Sequence, residues 1–206
     1  TGFILLGMVI ESVTGQDYYD VIRARFTGPL KLVRTTPSDR PGLKNLATGY
    51  MSENNAFGFP TETTTSPGVL AWNPGIEWTG GGLVSTSRDL ALWGAALFQG
   101  RAMGAPYLAD LLAAVPIDPR NPEIEYGLGV AIHHGGTYGT VYGHSGWIPG
   151  YSSSLRYYAE HDVTIAFQIN TDIGIVDGST PLVPELEQQL AKRIIDTLNS
   201  SMGVSN

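Results

Sequence analysis

The segment Gly143-His144-Ser145-Gly146-Trp147 is the densest group of reactive side chains in the sequence. It differs from the Gly-x-Ser-x-Gly nucleophile elbow, because Trp147 stands where the second glycine belongs. The elbow also needs a helix directly after its serine, whereas Ile148-Pro149-Gly150 leads into a strand-like run. We interpret the segment as an edge strand lining a cleft. Such a strand can bind an extended acyl substrate and direct an N–H at a developing oxyanion.

The residues around this segment favour an antiparallel sheet. Strand-like runs separated by tight turns cover residues 126–132, 140–145, 152–158 and 163–169. A closing helix is predicted over 181–198, with Thr180 and Pro181 at its start. Its apolar stripe is expected to face the sheet and consists of Leu182, Leu186, Leu190 and Ile194.

Helices and loops dominate the sequence before residue 120. Residues 3–13 are apolar nearly all round, which predicts a helix buried in a core. A second helix, capped by Asp17, is predicted to reach residue 26. A third is predicted to begin at Thr86 with a capping box, and a fourth to cover residues 107–115. Helices first, then a sheet, then a last helix predict the α+β class.

Residues 35–82 are irregular and rich in turn-forming residues. A stretch of this length carries binding surface or packs over a core. The aromatic residues Tyr50, Trp72 and Trp78 therefore either line a cleft or cover the core, and the sequence leaves both interpretations open.

Composition excludes several functions. The 206-residue chain has a formal net charge of −7, from 12 basic and 19 acidic residues, and no basic cluster that would indicate nucleic-acid binding. It has no cysteine, which excludes disulfides and thiolate sites. The apolar run at residues 3–10 is too short to cross a bilayer, which takes about 20 residues. No metal site or cofactor is expected, since the adjacent His133 and His134 point to opposite faces of a strand and, like His161, fit a solvated hairpin end.

Four blocks of sequence in the right order resemble the family that groups class C β-lactamases, D-alanyl-D-alanine carboxypeptidases and related esterases. His144-Ser145-Gly146 matches the family's Lys/His-Thr/Ser-Gly motif, with Tyr126-Gly127-Leu128-Gly129 before it and Gly150-Tyr151-Ser152 after it. Residues 81–90 match its glycine-rich helix start, and residues 1–15 resemble the helix after its Tyr-x-Asn motif. The resemblance implies a β-lactamase/transpeptidase-like fold. Residues 1–206 would be the C-terminal portion of one domain lacking its N-terminal segment, with helices and loops to 120 and the sheet with its last helix from 121.

The resemblance also implies roles for the site residues. His144 would orient or protonate groups near the catalytic tyrosine and the substrate carboxylate, and Ser145 would bind that carboxylate or the acyl chain. Gly146 would let substrate approach the strand closely. The backbone N–H of Trp147 would be one of two oxyanion-hole donors. We therefore expect a serine hydrolase acting on a D-Ala-D-Ala peptide, a β-lactam or a small ester through an acyl-enzyme.

The sequence departs from the family in one large respect. None of its lysines, Lys31, Lys44 and Lys192, has a serine three residues earlier, so the nucleophile motif Ser-x-x-Lys is absent. Tyr-x-Asn is absent too. We expect the isolated chain to be inactive, and an N-terminal segment or a second chain to complete the sheet along residues 163–169. The alternative is a non-catalytic binding or assembly module on the same fold. Most members of the family act outside the cytoplasm, so the resemblance favours a periplasmic or secreted location for this chain.

Overall fold

The computed structural model of the protein describes residues 1–53 and 55–203. The chain forms two compact units. The first consists of residues 1–89, 146–152 and 169–173, and the second of residues 90–145 and 153–168 with the chain from 174 onward.

The first unit begins with α1 (Gly2–Thr14), which ends at Gly15 with a left-handed φ of 66°. The prediction that this helix is buried was wrong. Only Gly7 is buried, and a Cβ there would lie 2.3 Å from Thr79 Cγ2. The apolar composition of a helix shows only that its side chains are suited to burial. The elements that pack against the helix determine which of those side chains are covered. Six large apolar side chains are more than half exposed: Phe3, Leu5, Leu6, Met8, Val9 and Val13.

The next helix, α2 (Tyr18–Ile22), confirms the predicted cap, because the Asp17 carboxylate accepts hydrogen bonds from the N–H groups of Tyr19 and Asp20. It continues into a π-helical turn, Arg23–Thr27. The irregular stretch that follows contains short strand pairs: β1 (Thr36–Pro37) with β4 (Leu83–Val84), and β2 (Thr64–Ser66) with β3 (Val69–Leu70).

Two buried polar side chains organise this stretch. The fully buried Thr63 hydroxyl accepts a hydrogen bond from Gly49 N at 2.8 Å and lies 2.9 Å from Tyr151 Oη. Asp89, 1% exposed, lies in the first turn of α3 (Ser87–Phe98). The predicted capping box forms only in part. The Thr86 hydroxyl accepts from Asp89 N, but the Asp89 carboxylate accepts from Arg34 N and the Thr35 hydroxyl instead.

A six-stranded sheet runs through the second half of the chain. Its strands are β5 (Val115–Asp118), β6 (Asn121–Tyr126), β7 (Ala131–Gly136), β8 (Gly139–Ile148), β9 (Tyr151–Tyr158) and β10 (Val163–Ile169). They lie in the order β10-β9-β8-β7-β6-β5, so β10 forms one edge of the sheet. The sheet confirms the α+β class with an antiparallel sheet, although four strands were predicted.

Two predicted boundaries were wrong in this part of the chain. Residues 126–132 are not one strand, because Gly127 N bonds Val130 O across a turn in which Gly129 has a φ of 88°. The helix predicted to residue 115 ends earlier, as α4 (Tyr107–Leu112), and Val115 begins a strand. Val115 pairs with Tyr126, so in the second case a tertiary pairing overrode the local pattern.

Apolar clusters cover both faces of this sheet in the second unit. Tyr157 packs with Leu97, Phe98, Val130 and Ile132, whereas its neighbour Tyr158 packs on the opposite face with Ile165, Ala191 and Ile195. Consecutive strand residues point to opposite faces, so β9 is buried on both sides.

The last helix, α5 (Leu182–Gly203), begins one residue after the predicted Pro181 start. Its predicted stripe is displaced by one position at its end, since Ile194 is 37% exposed while Ile195 is fully buried. Among the helices of the described residues, none is both long and apolar enough to span a bilayer.

Candidate active site

His144 and Ser145 lie on β8, in the part of that strand that belongs to the second unit. Both are exposed. β6, β7 and β8 pair so that Tyr126 lies beside Ala131, and Ala131 beside Gly143. This register brings the tyrosine of the Tyr-Gly-Leu-Gly block close to His144.

The His144 ring is held at both nitrogens. Its Nε2 lies 2.9 Å from Tyr126 Oη, and the two rings meet edge to face at 5.8 Å. Its Nδ1 contacts the carbonyl oxygen of Ser145, which can only accept a hydrogen bond. In the neutral ring Nδ1 therefore carries the proton, and Nε2 accepts from the Tyr126 hydroxyl.

The Ser145 hydroxyl is engaged by a cation. Arg156 Nη2 donates to Ser145 Oγ at 2.8 Å, and the same nitrogen lies 3.0 Å from Glu187 Oε1. Glu187 Oε1 also accepts from the Ser154 hydroxyl at 2.5 Å. Because Ser145 Oγ accepts from a guanidinium, its own proton is free to donate to a ligand oxygen. Sequence reasoning missed Arg156, which lies on β9 and carries no motif.

His133 is half-buried and does not fit the solvated hairpin end that was predicted. It faces an open groove of about 410 Å³ shared with Arg156, Tyr158 and Glu187. Burial, followed by the Arg156 charge, lowers the pKa of His133, while Glu187 opposes this shift. His134 fits the prediction better, as an exposed residue 2.9 Å from Glu125 Oε2.

Gly146 and Trp147 continue β8 within the first unit, and both are exposed. The Trp147 indole N–H donates to Asp172 Oδ2 at 3.1 Å, and Gly150 N donates to the same oxygen at 2.9 Å. Asp172 is only 6% exposed, and its own N–H donates to Tyr50 O. Asp172 therefore fixes both the side chain of Trp147 and the turn after it. The sequence offered no motif that could identify it.

Of the three aromatic residues of the irregular stretch, the structure decides between the two interpretations for Trp78. Trp78 packs on Tyr18 at 5.9 Å and against Gly7 of α1, so it covers the interior of the first unit. Trp72 stacks on Phe59 at 4.8 Å. Tyr50 is 42% exposed, and its backbone pairs with residues 170 and 172.

Searched over the described residues, the structure contains no group of three or more His, Cys, Asp or Glu side chains placed to hold a metal ion. The arrangement instead provides hydrogen-bond donors on an accessible strand: a histidine with a defined tautomer, a serine with a free proton, and a strand continuing through glycine into tryptophan. Groups of this kind are able to orient an acyl compound and stabilise an oxyanion.

Comparison with known proteins agrees with this fold. The family model described as Beta-lactamase matches residues 1–183. The chain therefore belongs to the Beta-lactamase family. Penicillin-binding protein 4* of Bacillus subtilis (strain 168) is 26% identical over 217 residues, which cover 96% of this chain and 47% of that protein.

Two solved structures give the same assignment. A D-stereospecific amidohydrolase from Streptomyces sp. is 32% identical, with a TM-score of 0.71, over 82% of this chain and 48% of its own. The D-amino acid amidase of Ochrobactrum anthropi SV3, complexed with D-phenylalanine, is 26% identical with a TM-score of 0.63, over 82% of this chain and 53% of its own. The chain thus spans about half the length of these relatives.

Proposed function

We propose that this chain supplies the substrate-positioning half of a serine hydrolase that works through an acyl-enzyme. His144 and the Trp147 backbone N–H are the catalytic groups in this proposal, and Ser145 and Gly146 bind substrate. The observation that carries it is the Ser145 hydroxyl, which accepts a hydrogen bond from Arg156 and so presents its proton to a ligand oxygen.

His144 has a matching role. With Nδ1 bound to the Ser145 carbonyl, the imidazole and the Tyr126 hydroxyl form a short path for a proton. An imidazole serves this purpose near neutral pH better than any other side chain. The serine that forms the acyl-enzyme would come from a Ser-x-x-Lys segment that these 206 residues lack.

We propose an amino-acid amide as the substrate, in addition to the D-Ala-D-Ala peptide, β-lactam or small ester expected earlier. The names of two relatives, a D-stereospecific amidohydrolase and a D-amino acid amidase, support this choice. A carbonyl or carboxylate oxygen of such a compound would accept from Ser145. An N-terminal segment or a second chain is proposed to pair with β10 (Val163–Ile169), whose position at the sheet edge leaves room for it.

The test is acylation by a fluorescent penicillin and by a fluorophosphonate probe. The 206-residue chain alone should not be labelled. The same chain joined to the N-terminal half of the Streptomyces sp. amidohydrolase should be labelled stoichiometrically, and less when Ser145 is changed to Ala. Labelling of the chain alone would contradict the half-site. A correctly folded fusion that hydrolyses no amide, ester or β-lactam would favour the non-catalytic binding module instead.

A further inference from the structure

Four aromatic rings form a row in the first unit, next to the Gly146-Trp147 end of the site strand. Trp72 stacks on Phe59 at 4.8 Å with 6° between the ring planes. Phe59 stacks on Phe57 at 5.7 Å and 16°, and Phe57 meets Trp147 at 5.6 Å and 34°. We call these four residues the aromatic row.

The row changes from half-buried to exposed along its length. Trp72 and Phe59 are half-buried, whereas Phe57 is 51% and Trp147 41% exposed. A row that served only to cover the interior would bury its large rings. Here the two rings nearest the site strand offer their surfaces to solvent.

The loop that carries the two phenylalanines is held in place by one side chain. Asn55 Oδ1 accepts from Phe57 N at 3.2 Å and from Phe59 N at 3.1 Å, and its Nδ2 donates to Ser52 O and Phe59 O. Gly58, which separates the two phenylalanines in sequence, has a φ of 65°, a conformation that would be strained for a residue with a side chain. The loop is therefore fixed before any ligand arrives.

Trp147, the last ring of the row, is fixed by Asp172. Its buried carboxylate binds the Trp147 indole N–H and Gly150 N, as described above. The indole cannot turn away without leaving a 6%-exposed carboxylate with one partner fewer. Both ends of an exposed apolar surface are thus held by polar side chains, the arrangement expected of a preformed binding surface.

We propose that Phe57 and Trp147 form the subsite that receives the aromatic side chain of the substrate, with Asn55 and Asp172 as positioning residues. The occupant is a planar ring, because partly exposed aromatic rings make their best additional contact with another aromatic ring. This inference rests on the proposed function, since it gives the substrate class of the same site. It adds a preference that the site strand alone does not provide.

The experiment is ligand binding to the 206-residue chain, measured by ligand-observed NMR with three probes: D-phenylalanine amide, D-cyclohexylalanine amide and D-alanine amide. D-Phenylalanine amide should bind about tenfold more tightly than D-alanine amide, because it buries a large apolar side chain. It should also bind about threefold more tightly than the saturated analogue of similar size, owing to ring stacking. Equal affinities for the three probes, or no binding, would overturn the proposal.

Variants locate the effect. In Phe57→Leu, the affinity for D-phenylalanine amide should lie within about twofold of the affinity for D-alanine amide. Phe3→Leu is the matched control, because Phe3 is 52% exposed on α1 and belongs to no part of the row; it should leave all three affinities unchanged. A preference that survives Phe57→Leu, or is lost with Phe3→Leu, would contradict the assignment.

Asp172→Asn tests the positioning role with a spectroscopic readout. The Trp147 indole N–H signal should shift and exchange faster with solvent, and the preference for the aromatic probe should fall in parallel. An unchanged indole signal would contradict that role.

The aromatic preference and the proposed function can fail separately, because binding involves no acylation. A chain that prefers the aromatic probe while the fusion hydrolyses nothing would refute the proposed function alone. Hydrolysis without aromatic preference would refute only this inference.

Discussion

The two halves of the site strand are held by different forces. His144 and Ser145 are fixed by a polar network at the surface, formed with Tyr126, Arg156 and Glu187. Trp147 is fixed by one buried carboxylate, Asp172, and by ring contacts. Water competes with the exposed hydrogen bonds to His144 and Ser145, whereas the carboxylate that holds Trp147 is buried. Changes to the two halves should therefore differ in size and in dependence on salt and pH.

The largest effect is expected from Asp172→Ala. The change removes the acceptor for Trp147 Nε1 and leaves the buried Gly150 N–H without a partner. Such losses cost about 3 kcal/mol in the free energy of unfolding. Urea denaturation followed by circular dichroism measures it. Asp118→Ala is the control, since Asp118 pairs with Arg120 at the surface and the change should alter stability far less. A loss equal to the control's would mean that Asp172 does not anchor this half.

A smaller effect is expected from Arg156→Met, which keeps most of the side-chain volume. Arg156 and Glu187 are 13% and 19% exposed at their side chains, so the change leaves Glu187 partly buried without its cation. The variant should be about 2 kcal/mol less stable than the wild type. This difference should become smaller with added salt, because salt screens the ion pair of the wild type. The double variant with Glu187→Gln should recover part of it. A double variant as unstable as the sum of the two single changes would show that the pair is not coupled.

The first half should also respond to pH through His133, which faces Arg156, Glu187 and His134. Because the folded state lowers the pKa of His133 below its ordinary 6.5, the unfolded chain binds the proton more readily. The contribution of this residue is complete above pH 6.5 and decreases as the pH falls through the folded-state pKa. Denaturation curves at pH 7.5 and pH 5 should differ less for His133→Gln than for the wild type. An identical pH dependence in both proteins would remove His133 from the account.

The smallest effect is expected from Tyr126→Phe, because its hydrogen bond to His144 is exposed. Stability should fall by about 0.5 kcal/mol. The informative readout is the imidazole ¹⁵N spectrum of His144, in which the Nε2 signal should shift because it loses the hydroxyl donor, while the Nδ1–H tautomer set by the Ser145 carbonyl is kept. A mixture of tautomers in the wild type would contradict the geometry of this half.

The sequence carries a motif for the first half of the strand and none for what anchors the second. Collinear motifs suggest His144 and Ser145 as site residues, which stays a prediction, and alternation along the chain predicted the strand that carries them, which the structure confirms. Asp172 could not be found this way, because its role depends on a contact between residues 25 positions apart and on burial that no local pattern records. The same limit explains α1, whose apolar sequence predicted a buried helix that the structure leaves exposed.

Boundaries failed for a related reason. The strand predicted over residues 126–132 is broken at Gly127, where a Cβ would lie 2.4 Å from Leu111 O of α4. The glycine there serves a close helix contact, which alternation along the strand cannot indicate. Element types could therefore be read from the sequence, whereas the points at which elements meet could not.

In the proposed function, one strand, residues 143–147, positions an acyl substrate. The most direct measurement is a ¹H–¹⁵N titration of the chain with D-phenylalanine amide. We predict that the largest amide shifts fall on Ser145, Gly146 and Trp147, with the Trp147 indole N–H moving at the same ligand concentrations. Shifts confined to the groove around His133, with these three amides unmoved, would contradict the claim.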